Sequence, residues 1–220
     1  METPPTEKLP LLTPRRDLIK LTMATGAGLA LGAVAGSAHA TPSVAPAEPG
    51  ASPSKPMTYK FKLGALKPVV DNTGGSVAEC KKTNFPVVQN GGAGIFLLRL
   101  TPGGLREPHW HPNCWEMDYV VAGTVEMTIV PPYGPVDTFT LEPGDVAFVP
   151  QGFAHSIVNI GDVDAVIPIV FNNEFPSDIG LSSMYSGFPE GQFAQTFGVP
   201  GSAMSSIPRP KDTLVVVPKL

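Results

Sequence analysis

Three histidines and one glutamate, grouped in two short segments, are the side chains of this sequence best suited to chemistry. His109 and His111 flank a tryptophan, Glu116 follows five residues after His111, and His155 comes directly after a Pro-Gln-Gly-Phe-Ala turn. Positions i and i+2 of a strand face the same side, so the first two imidazoles can point to one centre. Glu116 and His155 enter two further predicted strands and can complete a set of four ligands.

Such a ligand set suits a metal ion that binds a small substrate. Imidazole and carboxylate are borderline to hard donors, and four of them leave two positions of an octahedral ion open for a chelating molecule or dioxygen. The alternative is that the histidines only pack in the interior, but buried imidazoles need polar partners and a shared metal is a partner for all of them. We therefore predict a metal centre at His109, His111, Glu116 and His155.

Short strands separated by turns must position these ligands. Between residues 57 and 171 apolar and polar residues alternate or form short apolar runs, with Gly and Pro at the breaks. This pattern is typical of an antiparallel β-sandwich or barrel. Ala122-Gly123-Thr124 predicts a hairpin turn, and residues 190–196 predict one short helix. The predicted strands cover 58–63, 94–100, 117–121, 125–130, 138–141, 146–149, 156–159, 165–171 and 214–217.

Two multi-residue motifs resemble those of the cupin superfamily. The first runs Gly103, five residues, His109-x-His111, four residues, Glu116, six residues and Gly123, and the second runs Gly144, five residues, Pro150-x-Gly152, two residues, His155, three residues and Asn159. The resemblance implies an all-β fold over residues 57–220, a single cupin β-barrel of the double-stranded jelly-roll type, with a short C-terminal helix and extension. Asn159 is expected to be a structural hydrogen-bonding residue rather than a ligand.

The wider context is similar to the oxalate decarboxylase and germin branch of the cupins, over about residues 74–197. Enzymes of this branch bind manganese with three histidines and one glutamate, so the resemblance implies Mn²⁺ here, while coordination chemistry also admits Fe²⁺. These enzymes usually contain two fused barrels, whereas this chain has one. The resemblance therefore implies that barrels pair by homo-oligomerisation.

The resemblance also implies a substrate and its binding residue. It places a substrate-binding arginine at Arg106, whose guanidinium would pair with one end of a small dicarboxylate. Plain strand alternation would put Arg106 on the face opposite His109, but Pro108 between them can disturb the alternation. The alternative is a surface arginine. The implied reaction, with dioxygen as a partner, converts oxalate to formate and CO2.

Decarboxylation needs a proton donor near the metal. The decarboxylases of this branch carry a Ser-Glu-Asn lid loop, and this tripeptide is absent from the sequence. Residues 172–180 offer Glu174 and Asp178 as their only carboxylates, and each can equally be a solvated loop residue. Two alternatives therefore stay open, an oxalate oxidase that yields CO2 and hydrogen peroxide, and a non-catalytic metal-binding or storage cupin.

Composition limits the remaining possibilities. The 220 residues are 42% hydrophobic and carry a net charge of −4, which suits one globular domain with appendages and argues against a nucleic-acid partner. Cys80 and Cys114 are the two cysteines. They can pair in an oxidising compartment, or remain small half-buried residues.

The first 56 residues predict export and a linker. Arg15 and Arg16 precede an uncharged Gly/Ala-rich run that ends in Ala38-His39-Ala40, which predicts a twin-arginine signal peptide at 1–40, removed after Ala40. Residues 41–56 are rich in Pro, Ala and Ser and predict an extended linker. The mature protein is then periplasmic or secreted, without stable membrane insertion. The alternative is an uncleaved membrane anchor.

Overall fold

The computed structural model describes residues 58–210 and 215–220. The predicted signal peptide and linker lie outside the described residues. The strands are β1 (Val70–Asn72), β2 (Gly75–Cys80), β3 (Gly94–Leu100), β4 (Leu105–Trp110), β5 (Glu116–Tyr119), β6 (Val125–Val130), β7 (Asp137–Leu141), β8 (Val146–Val149), β9 (Ala154–Asn159), β10 (Ala165–Phe171), β11 (Ile179–Gly180) and β12 (Val216–Val217). The helices are α1 (Leu181–Gly187), α2 (Glu190–Phe197) and α3 (Gly201–Met204).

Two antiparallel sheets form the two layers of a jelly roll, as the sequence predicts. The first sheet has the order β1-β2-β3-β10-β5-β8, and the second has the order β11-β4-β9-β6-β7, with β12 also paired to β4. Alternate residues of both sheets point into one core, so that Leu98 on β3 and Met127 on β6 are fully buried. This arrangement buries one face of each strand and leaves the other face outside.

Asn159 ties three segments together at one end of the core. Its amide nitrogen donates to the carbonyls of Leu100 and Val163, each at 2.8 Å, and its amide oxygen accepts from Gly161 N–H at 3.0 Å. The side chain is 1% exposed. Because every polar atom of this buried amide is paired, Asn159 has the structural role expected from the sequence.

The predicted hairpin at residues 122–124 is wrong. The strand before it, β5, pairs with β8 and β10, whereas the strand after it, β6, pairs with β7 and β9. The chain therefore crosses from one sheet to the other at this point. Gly123 has φ +79°, and a Cβ there would lie 2.6 Å from the Cα of Ala165. A glycine turn signal reports this tight crossing, but it does not say which sheet the next strand joins.

At the two ends of the domain, several observed elements differ from the predicted ones. The predicted strand at 58–63 is absent, because most of its residues are exposed and they lead into a 3-10 turn at Leu63–Ala65. Strands β1, β2 and β11 and helices α1 and α3 were not predicted. Helix α2 and strand β12 confirm the predicted helix and terminal strand, although residue 214 is not described. No helix in the described part of the chain has the length and apolarity that a membrane span requires.

Candidate metal centre

Strands from both sheets bring the four predicted ligands to one point. His109 lies on β4, His111 one residue beyond its end, Glu116 at the start of β5 and His155 on β9. One potential ligand atom from each residue lies within 4.8 Å of the others. All four side chains are buried, with at most 4% of each residue exposed.

Each histidine ring is oriented by a main-chain carbonyl. The Nδ1 atoms lie 2.8 Å from the oxygen of Glu107 for His109, 2.7 Å from that of Ser177 for His111 and 3.0 Å from that of Phe153 for His155. A carbonyl only accepts, so each Nδ1–H donates and the Nε2 atom is left to act as a ligand. Such outer partners hold the ring and its tautomer in metalloproteins.

The inward atoms of this group face one another without complementary donors. The Nε2 atoms of His111 and His155 lie 2.8 and 3.3 Å from the Glu116 carboxylate. Both Nε2 atoms and one Glu116 oxygen have no hydrogen-bond partner among the described residues. Neutral imidazoles and a carboxylate present only acceptors here, and a bound cation satisfies all of them. The residues present therefore fit a metal ion.

The pKa values of these groups also indicate that positive charge is needed among the inward acceptor atoms. Burial, with the nearby positive charge of Arg106, holds the pKa of His109 well below its usual value. Burial also acts to lower the pKa of His111, but the adjacent Glu116 carboxylate outweighs it and raises that pKa. Although burial opposes it, the neighbouring His155 and His111 lower the pKa of Glu116. Without a metal the carboxylate stays charged and recruits a proton on His111 to balance it.

A cavity of about 290 Å³ opens over the ligands. His109, His111 and Glu116 line it on one side. Arg106 and Asp178 also line the cavity and bring one positive and one negative group to it. Most of the remaining wall is apolar. It is formed by Val69, Val70, Val77, Phe96, Leu98, Ile169, Phe171 and Val215, together with Glu79. The space suits a small anionic molecule that reaches both the metal ligands and Arg106.

A break in strand regularity turns Arg106 into this cavity. The register between β4 and β9 shifts between Arg106 and His109, with the exposed Pro108 between them. A bulge of this kind re-aims side chains and places residues of odd spacing on one face. Arg106 is 6% exposed and forms an ion pair with Asp178. The surface-arginine alternative is therefore not what the structure shows.

The two candidate proton donors have different surroundings. Asp178 lines the cavity and pairs with Arg106. Glu174 does not line it, and its carboxylate lies 3.7 Å from Lys82 Nζ. A hydrogen bond from its own backbone N–H, followed by the charge of Lys82, lowers the pKa of Glu174, although slight burial opposes this. The loop folds so that its two carboxylates point to different places, and only Asp178 is a candidate for chemistry.

One buried acid beside the ligands was not predicted from the sequence. Asp118 lies two residues after Glu116 on β5, is fully buried, and has no hydrogen-bond partner for either carboxylate oxygen among the described residues. Burial and the charge of Glu116 raise the pKa of Asp118 well above its usual value, against the opposing effect of Arg106. The signal was present in the sequence, since i and i+2 on a strand share a face.

The two cysteines are free thiols in the structure, and both are buried. Burial raises the pKa of Cys80, and burial with the charge of Glu116 raises the pKa of Cys114 to about 11. Both groups are therefore poor nucleophiles at neutral pH. They act as small core residues rather than as a disulfide.

Comparison with known proteins identifies the family. The cupin family model matches residues 61–205. The chain belongs to the cupin family. The Bacillus subtilis oxalate decarboxylase OxdC is 33% identical over 135 residues, which cover 61% of this chain and 34% of that protein. Germin-like protein 5-1 from Oryza sativa is 31% identical over 134 residues, which cover 60% of this chain and 61% of the rice protein.

Solved structures give the same relationship. The structure of oxalate decarboxylase from Bacillus subtilis at pH 4.6 superimposes with a TM-score of 0.66 and 29% identity, covering 73% of this cupin and 41% of that chain. Another structure of that enzyme was solved in work on its Mn(II) centres. This cupin therefore spans between one third and two thirds of the length of these relatives.

Replacing one ligand should remove the metal. For Glu116→Gln or His155→Ala we expect the bound metal to fall from about one ion per chain to less than about 0.1, because a metal site needs its full donor set. Metal analysis of gel-filtered protein measures this. Glu126→Gln, on the exposed face of β6, is the matched control. Full metal content in both ligand variants would contradict the site.

Asp118 should make the metal-free protein less stable as pH rises. Because its pKa is raised in the folded state, the folded chain keeps a proton that the unfolded chain loses above a pKa of about 4. The free energy of unfolding should therefore decrease from about pH 4 towards pH 7, by at most about 1.4 kcal/mol per pH unit from this group. Asp118→Asn should remove this part of the decrease.

Denaturant titrations of the chelator-treated protein across that pH range measure the slope. Asp137→Asn, at an exposed position of β7, serves as the control and should keep the wild-type slope. Equal slopes for Asp118→Asn and wild type would show that Asp118 does not hold a proton in the fold.

Proposed function

We propose that this cupin is an exported manganese enzyme that cleaves oxalate or a similar small dicarboxylate, most concretely oxalate to formate and CO2. The observation that carries the proposal is the position of Arg106 and Asp178 in the same cavity as the metal ligands. The relationship to oxalate decarboxylase from Bacillus subtilis supports it. The Mn(II) centres of that enzyme support manganese as the metal, with Fe²⁺ as the alternative.

Arg106 is the group that would bind the distal carboxylate of the substrate. Its guanidinium is buried at the cavity wall and already holds a carboxylate, that of Asp178. A substrate carboxylate can take the place of Asp178 at Nη2, since a guanidinium donates to either carboxylate in the same way. Binding would thus release the Asp178 carboxyl into the cavity.

Asp178 is then the group that would exchange a proton with the reacting carbon. His109, His111, Glu116 and His155 would hold the metal, which would supply Lewis-acid and one-electron redox chemistry at the other carboxylate of the substrate. The hydrogenoxalate ion gives CO2 and formate without net oxidation, so dioxygen, the predicted partner, is not consumed. The step left to the protein is delivery of a proton to the carbon that becomes formate.

The loop that carries Asp178 is anchored near the metal ligands. Asn113 Oδ1 accepts from Ser177 N–H at 2.8 Å, and Asn113 Nδ2 donates to Phe175 O at 3.1 Å. His111 bonds to the carbonyl of Ser177 in the same loop. A movement of Asp178 away from Arg106 can therefore stay local to one side chain.

The ion pair with Arg106 also favours a second candidate, oxalate oxidase. If Asp178 stays paired during turnover, no carboxyl group of the loop is free to protonate the carbon, and oxidation by dioxygen gives two CO2 and one hydrogen peroxide. A metal-binding or storage role is the third possibility. The products distinguish the three.

The manganese-loaded protein given oxalate should release formate and CO2 in equal amounts. Asp178→Asn should lower formate formation by about 10²- to 10⁴-fold, the usual contribution of a positioned proton donor. Formate is measured by NMR and peroxide by a peroxidase-coupled assay.

Glu174→Gln is the matched control from the same loop, and its formate rate should equal that of the wild type. Peroxide in place of formate from the wild type would establish the oxidase. Tight manganese binding without either product would establish the storage role. Unchanged formate from Asp178→Asn would exclude Asp178 as the donor.

We further propose that export uses the twin-arginine route to the periplasm or the medium. Support comes from Arg15, Arg16 and the Ala38-His39-Ala40 sequence. This route carries folded proteins, so manganese could be loaded in the cytoplasm, away from copper and zinc, which bind such donors more tightly.

Expression in a bacterium that has this route should yield a mature protein that begins at Thr41. Replacing Arg15 and Arg16 together by Lys should leave the precursor in the cytoplasm, because the paired arginines are the recognised feature. Cell fractionation with mass spectrometry of the intact protein measures both. Lys8→Arg is the control, and normal export of the double variant would contradict the proposal.

A homo-oligomer is the assembly that we propose for the mature protein. The outward face of β5, β8 and β10 carries adjacent apolar side chains, with Met117 opposite both Phe148 and Val170. Each of these three residues is at least 38% exposed. A continuous apolar patch on a sheet favours association. Light scattering of the mature protein would detect it, and a monomer at all concentrations would contradict it.

A further inference from the structure

The chain's C-terminal segment holds the Arg106 side chain from a second side. Arg106 Nη1 donates to the carbonyl oxygen of Val215 at 3.3 Å, while Nη2 pairs with Asp178. Val215 also lines the cavity. The direction of the guanidinium is thus set by two partners, one from the loop after β10 and one from the end of the chain.

Glu107 holds Val215 in place through both of its backbone groups. The Glu107 N–H donates to the Val215 carbonyl at 3.0 Å, and the Val215 N–H donates to Glu107 Oε1 at 2.9 Å. The Glu107 carboxylate also accepts from Ser182, from the N–H at 2.8 Å and from the hydroxyl at 2.9 Å. Glu107 is 4% exposed. A buried carboxylate with three donors is well satisfied, so it holds these donors in fixed positions.

Val215 adopts a backbone conformation that valine rarely accepts. Its φ is +55°, whereas the other described non-glycine residue with positive φ is Asn90, a type that tolerates this region. Strand β12 begins at the next residue, with Val216 opposite Arg106, and Asn72 Nδ2 donates to Val216 O at 2.9 Å. A strained backbone conformation persists where the surrounding hydrogen bonds and packing hold it in place, and such residues are found where proteins hold ligands.

We propose that Glu107 and Val215 are positioning residues for Arg106, so that the C-terminal segment sets how tightly the cavity binds a small carboxylate. When a substrate carboxylate replaces Asp178 at Nη2, the Val215 carbonyl still holds Nη1. The guanidinium then keeps its direction through the exchange. The inference rests on the proposed function, because it takes Arg106 as the substrate-binding group.

We call the arrangement in which Glu107 and Val215 hold Arg106 the clamp, and Val215→Pro tests it. Proline lacks the N–H that donates to Glu107 and requires φ near −65°, so the carbonyl should move away from Arg106. Calorimetry with oxalate and the manganese-loaded protein should show binding weakened about tenfold, the effect of losing a hydrogen bond to a charged group. Manganese content should not change. Val215→Gly keeps both backbone groups and suits a positive φ, so it should retain the affinity that Val215→Pro loses.

A double-variant cycle shows whether the segment acts through Arg106. In an Arg106→Ala background, Val215→Pro should cause no further loss of oxalate affinity. An equal tenfold loss in that background would overturn the proposal, because the segment would then contact the ligand by itself. Unchanged affinity for Val215→Pro in the wild-type background would overturn it as well.

A second readout needs no substrate. Phenylglyoxal modifies accessible arginines, and mass spectrometry reports each one, with exposed Arg99 as the internal standard. Arg106 should react about tenfold faster in Val215→Pro than in wild type. Glu107→Gln replaces one acceptor oxygen with a donor facing Ser182, and it should give the same direction of change if Val215→Pro does not fold. Removal of Leu220, which is fully exposed, is the control.

The two readouts separate the clamp from the proposed function. If the wild type does not bind oxalate, the proposed substrate is wrong, and phenylglyoxal still tests the clamp. Equal Arg106 reactivity in the wild type, Val215→Pro and Glu107→Gln would overturn the clamp whatever the substrate is.

Discussion

Buried acceptor atoms that point at one another are unfavourable in a dry interior unless protons or a cation lie between them. The Glu116 carboxylate and the inward nitrogens of His111 and His155 form such a group. The outer nitrogens donate to main-chain carbonyls, so the rings cannot simply turn around. The fold thereby builds in a requirement for positive charge at this point, and the position of a metal follows from it.

The need to balance buried negative groups with positive charge also applies to the other charged residues around the cavity. Glu116 and Asp118 lie on one face of β5 and are both fully buried or nearly so. Arg106 enters the cavity from β4 through a local register shift and brings a permanent positive charge. Asp178 pairs with it from the loop. A substrate with two carboxylates would match both positive positions, the metal and the guanidinium. At Arg106, binding of such a molecule would exchange one carboxylate for another, and its second carboxylate would meet the charge of the metal.

Local patterns predicted the strands well and their connections poorly. Strands β3, β6 and β10 have the predicted bounds, because alternation and apolar runs report burial directly. The hairpin at 122–124 failed because β5 and β6 belong to different sheets, and a turn signal carries no information about the sheet. Strand β1 was missed because it is short and none of its three residues is buried. Strand β2 was missed because its four buried residues do not alternate strictly along the strand. Helices α1 and α3 are too short to show a clear period.

Residue types and spacing alone predict which residues can form a metal site, because histidines at i and i+2 and the two motif spacings restrict which side chains can converge. They also predict a cupin jelly roll as the fold. Only the tertiary structure separated Asp178 from Glu174, since the path of a loop depends on long-range contacts such as those of Asn113. Only the tertiary structure placed Val215 and Glu107 beside Arg106. That contact joins residues more than 100 positions apart, and no local pattern encodes it.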